Sequence, residues 1–351
     1  MKESITFSLF ADLHYKKGMY VASVEDLQKI FRRAEQDGSE LVLHLGDMCN
    51  DYLHSPEIID AYLNNSQGLE VYGVYGNHEL ETEGNTMATV TPCLTNMPDR
   101  VVWGTENGKI GDGSIAYYYF DKDCFRFICL DSNYSKNPVT NEYEHNLPAS
   151  WGAPSGNLVP ESLGARQMKW LRATLLSAAK QEKRCIVLSH SSFSGLWQKC
   201  DDAEAVRAIF REANELRKGT VLLAVNGHLH TDHSAVIEDV LYLDVNTVRN
   251  GLWVAKPFYP YAEKDINAPQ YTFNYIEYDT NGEAIASFER PLSSLSMGAQ
   301  TLFYADPLSA TVTLRDDGHI SIKGSVSEWM YGIEPDSQIK NELGKIRDID
   351  L

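Results

Sequence analysis

Five apolar runs in this chain each stop on side chains that can hold a cation. Residues 5–11 give way to Asp12-Leu13-His14, residues 41–45 to Gly46-Asp47, and residues 71–75 to Gly76-Asn77-His78-Glu79. Residues 185–188 lead to Ser189-His190, and residues 220–225 to Asn226-Gly227-His228-Leu229-His230. Polar clusters at the ends of buried strands are costly unless a site uses them. The fold must therefore bring these ends together. A helix-covered sheet does so, because its ligands gather outside the carboxyl ends of its parallel strands.

The intervening segments fit such a sheet. Ser23-Val24-Glu25-Asp26 has the form of a capping box, and Val24, Leu27, Phe31 and Ala34 keep a helical stripe that Gly38 ends. Ser55-Pro56 opens a second helix, with proline at the first helical position. Strand, helix, strand, helix, strand predicts a parallel layer. Residues 80–113 lack a clear period and predict a long loop with short pieces of structure. Residues 114–120 and 124–130 predict a hairpin around Asp121-Lys122-Asp123.

The stretch 133–163 is polar, rich in Pro, Asn, Ser and aromatics, and too long for an idle connection. We read it as a substrate-facing insertion, with Tyr134, Tyr143, His145 and Trp151 as its candidate contacts. Helices follow at 167–180 and after Asp201-Asp202, the second capped by one of those two aspartates. Short strands at 234–245 and 271–289, with turn signals such as Asn281-Gly282, predict a second sheet packed on the first. Residues 1–290 are read as the catalytic unit and 291–351 as a small appendage packed on it. The appendage carries a hairpin signature at Arg315-Asp316-Asp317-Gly318.

Composition excludes some classes of function. A net charge of −18 argues against a nucleic-acid scaffold, but two bound cations would reverse that sign locally. No apolar run approaches the roughly 20 residues of a membrane span. The amino terminus passes straight into a strand without a leader pattern, so a cytoplasmic location and no membrane partner are expected. The six cysteines form no Cys-x-x-Cys pair, so neither a zinc knuckle nor a redox motif is expected. No protein partner is evident.

Two divalent cations side by side need carboxylate, imidazole and amide donors. They also need one bridging carboxylate, which sets them about 3.5–4 Å apart. Asp12 and His14, spaced by Leu13, would point the same way in an extended segment, as would His228 and His230 around Leu229. Asp47 follows a glycine, where the backbone can approach a metal. Asn77 offers an amide oxygen, and His190 a further imidazole.

In this order, Asp-x-His, Gly-Asp, Gly-Asn-His-Glu, His and Gly-His-x-His resemble the calcineurin-like metallophosphoesterases. The resemblance covers residues 5–247 and extends toward 290. Leu163-Gly164, Gln167 and Trp170-Leu171 look like the helix that many phosphodiesterase-type members carry before the lone His. The resemblance implies an α+β fold of four layers, α/β/β/α: two packed mixed β-sheets flanked by helices, with the metal site at the strand C-terminal ends. It implies two divalent metal ions per chain, drawn from Mn, Fe, Zn or Co. Asp12, His14 and His230 would hold one, and Asn77, His190 and His228 the other, with Asp47 bridging. His78 would be the general acid rather than a ligand. A metal-bridging hydroxide would attack phosphorus in line. The substrate would be a small phosphorylated molecule, possibly a nucleotide, and the activity that of a phosphodiesterase or nucleotide pyrophosphatase. The alternatives are a phosphomonoesterase, protein phosphatases included, and a non-catalytic interaction module on the same scaffold.

The chain departs from the family pattern in three places. Asn50 stands where many members have an aspartate that orients the catalytic His. Asn50 can contact phosphate or His78 but cannot supply that charge. His190 is followed by Ser191-Ser192 rather than by a proline-containing turn. Beside Asp47 there is no tyrosine of the purple acid phosphatase kind. Asn50, His145 and Arg249 are the expected substrate-binding residues, Arg249 as a phosphate clamp. His44 is expected to be a core residue, and Glu79 an anchor behind the site.

Overall fold

The computed structural model describes residues 3–15, 22–49, 52–79, 84–105, 108, 115–136, 141–145, 161–195, 200–253, 272–278, 284–291, 301–328 and 347–351. Asn50, Trp151, the Asn281-Gly282 turn, the middle of the 133–163 insertion and most of the charged tail lie outside them.

The first half of the chain alternates as expected. β1 (Ser4–Phe10), α1 (Val24–Gln36), β2 (Leu41–His44), α2 (Pro56–Leu63) and β3 (Glu70–Gly73) follow one another. The capping box on α1 is present: Asp26 N–H donates to Ser23 Oγ at 3.1 Å, and Ser23 N–H to Asp26 Oδ2 at 2.9 Å. Such a cap contributes about 1 kcal/mol. The aperiodic stretch after Glu79 forms a single turn of helix, α3 (Met87–Val90), two 3₁₀ turns and the two-residue β4 (Val102–Trp103). β5 (Tyr118–Lys122) and β6 (Phe125–Cys129) make the expected hairpin. The insertion contributes a short pair, β7 (Tyr134–Lys136) and β8 (Tyr143–His145).

The second half supplies α4 (Gly164–Lys180), β9 (Arg184–Leu188), α5 (Ala203–Leu216), β10 (Val221–Asn226), β11 (His233–Ile237) and β12 (Val240–Asp244). Asp202 precedes α5, but its carboxylate does not cap that helix. It accepts Leu163 N–H at 2.9 Å and Gly164 N–H at 3.2 Å, and so ties the start of α4 to the start of α5. β13 (Asn250–Trp253) pairs with β16 (Thr301–Phe303), and β14 (Thr272–Tyr278) with β15 (Ala284–Pro291). The last strands are β17 (Ala310–Arg315), β18 (His319–Gly324) and β19 (Arg347–Asp350).

Two mixed sheets result. One runs β19-β18-β17-β1-β2-β3, the other β11-β12-β10-β9-β6-β5-β4. β1, β2 and β3 are parallel, as are β6, β9, β10 and β12. The region expected to be an appendage is thus half of the first sheet. β17 pairs antiparallel with β1 from Ser4↔Arg315 to Leu9↔Ala310. The hairpin signature was legible, but a hairpin's own residues do not say which strand it will join.

The sheets meet through aromatic side chains. Phe7 of β1 lies edge-on to Phe127 of β6 with centroids 5.3 Å apart, and Tyr72 stacks on Phe120 at 3.6 Å. Each such buried ring contributes up to about 3 kcal/mol. Leu27, Ile30 and Phe31 of α1 join this core, whereas Leu171 and Leu175 of α4 and Val206 and Phe210 of α5 cover the other sheet. His44 is buried between Phe10 and Tyr62, as expected of a core residue. Among the described residues, no helix is long and apolar enough to cross a membrane.

Candidate metal centre

Asp12 follows β1, Asp47 follows β2, Asn77 follows β3, His190 follows β9 and His228 follows β10. The carboxyl ends of both sheets therefore face one space. The ligand atoms of Asp12, His14 and His230 all lie within 4.8 Å of one another. The same holds for Asp47, His190 and His228, and for His14, Asp47 and His78. Asn77 joins the second group, its Oδ1 2.9 Å from His190 Nε2. Asp47 Oδ2 stands 3.2 Å from His190 Nε2, 3.7 Å from His14 Nε2 and 3.9 Å from His78 Nε2. One carboxylate oxygen thus faces both groups.

The local conformation differs from the extended one expected. Asp12, His14, Asp47, His228 and His230 have φ between 48° and 68°. Left-handed backbone at non-glycine residues costs roughly 1–2 kcal/mol each and clusters where a surrounding structure over-determines it. Here the surroundings do. Asp12 N–H donates to Gly46 O at 3.0 Å and His14 N–H to Asp47 O at 2.9 Å, while Thr247 Oγ1 donates to Asp12 O at 2.6 Å. Asp12 and His14 reach one group because both turn left-handed around Leu13, not because an extended strand alternates.

Glu79 is the expected anchor. Its buried carboxylate accepts the N–H groups of Gly76, Asp47 and Met48 and the Tyr52 hydroxyl. Asp47 Oδ1 in turn accepts His78 N–H at 2.9 Å.

The donor set fits divalent cations. His14 and His230 meet Nε2 to Nε2 at 3.0 Å, and His190 Nε2 lies 3.1 Å from His228 Nδ1. Ring nitrogens aimed at each other can share only one proton between them, whereas a cation would take both lone pairs. Burial holds His14 and His228 down to about 3, so both stay neutral, the metal-binding form. Burial also opposes charge on His190, but the Asp47 carboxylate prevails and raises it well above the ordinary imidazole value. His190 Nδ1 sits 2.8 Å from Leu45 O and donates to it, which fixes the ring with Nε2 aimed at the donor groups. Among the described residues, the ionic partners of Asp12 and Asp47 are all imidazoles. Mixed imidazole, carboxylate and amide donors suit Mn, Fe, Co or Zn.

Two glycines make room for the centre. A Cβ on Gly76 would stand 2.7 Å from Asp47 Cγ and overlap its Oδ1 and N. Gly46, at φ +95°, would place a Cβ on the His190 ring and 2.8 Å from Gly76 N. Gly76→Ala is expected to lose about 1–3 kcal/mol of stability through overpacking and to bind less metal. Thermal melting and metal analysis together check this, and wild-type values in both would show that the loop yields.

A model of the calcineurin-like phosphoesterases matches residues 5–232. The chain belongs to this family. Among curated protein sequences, none matches the chain. This phosphoesterase also resembles solved structures across nearly its whole length. A dimetal phosphatase from Danio rerio is 17% identical with a TM-score of 0.56, the match covering 93% of this chain and 98% of that one. GAP50, described as the anchor in the inner membrane complex of Plasmodium, is 12% identical with a TM-score of 0.50, the match covering 100% and 90%. At these identities the likeness shows the fold alone.

The phosphoesterase fold brings all eight predicted metal and acid residues together. It treats the predicted substrate contacts differently. Asn50 lies outside the described residues. Arg249 donates to the Asp26 carboxylate at 3.1 Å and to the carbonyl oxygens of Tyr304 and Ala305 at 3.0 and 2.7 Å. Arg249 thus ties α1 to the segment before β17 and belongs to the fold rather than to a phosphate clamp. His145 places its Nε2 3.0 Å from Oδ2 of the buried Asp131.

Asp131 was not singled out in the sequence, although it follows an apolar run as the other site residues do. The register Cys129↔Leu188 aligns the ends of β6 and β9, and Asp131 stands two residues beyond the one as His190 stands two beyond the other. Glu161 was also missed. It stands near the end of the insertion, 3.8 Å from His228 Nε2, and nothing in its sequence surroundings marks it.

Proposed function

We propose that this chain is a metal-dependent phosphoester hydrolase, a phosphodiesterase or nucleotide pyrophosphatase. The observation that carries the reading is the placement of Asp47 Oδ2 between the two donor groups. Asp12, His14 and His230 would hold one cation, Asn77, His190 and His228 the other, and Asp47 both. Bound there, two cations supply Lewis-acid charge neutralisation and an activated water. The chain's own residues do the rest. Asp47 Oδ1 holds the His78 backbone, which orients that imidazole over the centre. His78 would hold a proton for the leaving oxygen and steady its developing charge. The buried ring of aromatic and aliphatic side chains behind the centre excludes water from the far side.

The insertion supports a substrate larger than phosphate alone. Its β7–β8 pair is pinned to the end of β6 by Asp131 and His145, and Tyr134 lies edge-on to His145 at 5.0 Å. His145→Ala is expected to raise KM about tenfold for a nucleotide diester and to leave aryl phosphate hydrolysis nearly unchanged. An equal effect on both substrates would remove His145 from substrate recognition.

The test of the activity is a panel with Mn²⁺: aryl phosphomonoester, aryl phosphodiester, cyclic nucleotide and nucleotide diphosphate compounds. Diester or diphosphate turnover is expected to dominate. Preference for the monoester would favour a phosphatase. No turnover with two metals bound would favour an interaction module.

A further inference from the structure

The residues after His190 do work that the donor set does not explain. Ser191 stands where the family pattern has a proline-containing turn. Its N–H and hydroxyl both reach Ser132 Oγ, at 3.2 and 3.0 Å, and its hydroxyl also donates to Glu161 Oε2. Glu161 O accepts Asp201 N–H at 2.7 Å, so the Glu161 backbone is held as well. Its other carboxylate oxygen, Oε1, lies 3.8 Å from His228 Nε2. The opposite ring nitrogen, His228 Nδ1, is the one that faces His190 and the second donor group.

This geometry assigns a task to each nitrogen. For Nδ1 to offer a lone pair to a cation, the ring proton must sit on Nε2. A carboxylate facing Nε2 favours that tautomer and makes the ring a stronger donor. We propose that Glu161, held by Ser191, is a positioning residue for the metal site formed by Asn77, His190 and His228. The inference rests on the dinuclear reading above. It gives the Ser191 departure a purpose: a proline there would lack both the hydroxyl that holds Glu161 and the N–H that ties residue 191 to Ser132. It also connects the end of the insertion to the metal centre.

The proposal predicts an asymmetry. Glu161 faces a ligand of the second group, and Asp12, His14 and His230 belong to the first. The test is calorimetric titration of metal-stripped protein with Mn²⁺ for wild type, Glu161→Ala, Glu161→Gln and Ser191→Ala. Glu161→Ala is expected to weaken one of the two binding steps about 10–100-fold, the usual effect of losing such a partner, and to leave the other near wild type. Glu161→Gln keeps an acceptor oxygen for Nε2–H and is expected to restore much of the loss. Ser191→Ala is expected to fall between wild type and Glu161→Ala.

Two wild-type steps in Glu161→Ala would overturn the proposal, as would equal weakening of both steps. Should the alanine variant fail to fold, the glutamine and serine variants carry the same test, and wild-type titrations from both would overturn it. Failure of the wild type itself to bind two ions would instead remove the dinuclear reading, so the two outcomes are distinct.

Discussion

Asp47→Ala is expected to abolish turnover and empty both metal positions. The side chain is buried, and its Oδ2 is shared between the His190 side at 3.2 Å and the His14 side at 3.7 Å. Despite the opposing effect of burial, His190 and His78 hold its carboxyl well below the usual carboxylate range, so it is charged wherever the enzyme would work. Removing it leaves each donor group one carboxylate poorer and takes away the link between them. A metal contributes several kcal/mol of transition-state stabilisation, so its loss corresponds to about 10³-fold or more in rate. Metal analysis after dialysis, together with the kinetic panel, reads both effects. A variant that kept two ions and a normal rate would refute the bridging role.

His78→Ala is expected to behave in the opposite way: metal content near wild type, with turnover lower by about 10²–10⁴-fold. His78 is the most exposed imidazole of the centre, its side chain 19% accessible against 15% for His228, 8% for His14, 5% for His230 and none for His190. A proton donor must reach the substrate, and a ligand need not. The distances alone leave room for a ligand role, since His14, Asp47 and His78 also lie within metal reach of one another. The variant separates the two. Loss of an ion would make His78 a ligand and end its assignment as acid. Loss of rate with both ions kept supports the acid.

The centre was legible in the sequence because its chemistry is local. Each candidate ligand sits within a few residues of an apolar run, and strand, turn and donor are read together. The capping box of α1 was legible for the same reason. What escaped was non-local. Glu161 reaches His228 across 67 positions of sequence, and only the fold brings the two together. Arg249 shows the converse: an arginine after a strand reads as a phosphate clamp until its partner, Asp26 on α1, is seen. Asp202 looked like a helix cap and is one by position, but its carboxylate serves the neighbouring helix.

The pairing of β1 with β17 joins residues more than 300 positions apart, Ser4 with Arg315. Contacts of such separation close slowly, because the entropy of the intervening loop must be met first. On the ribosome, β1 can pair with β2 early, but its other edge stays open until almost the entire chain has emerged. An open edge of apolar strand is a template for aggregation. Asp12 and His14 stand directly beyond that strand, so the centre cannot be fully set during most of synthesis. If the centre holds metal as proposed, loading is expected to come late, coupled to the arrival of the carboxyl-terminal hairpin. Metal supplied during refolding should raise the yield of soluble protein only once residues 310–324 are present.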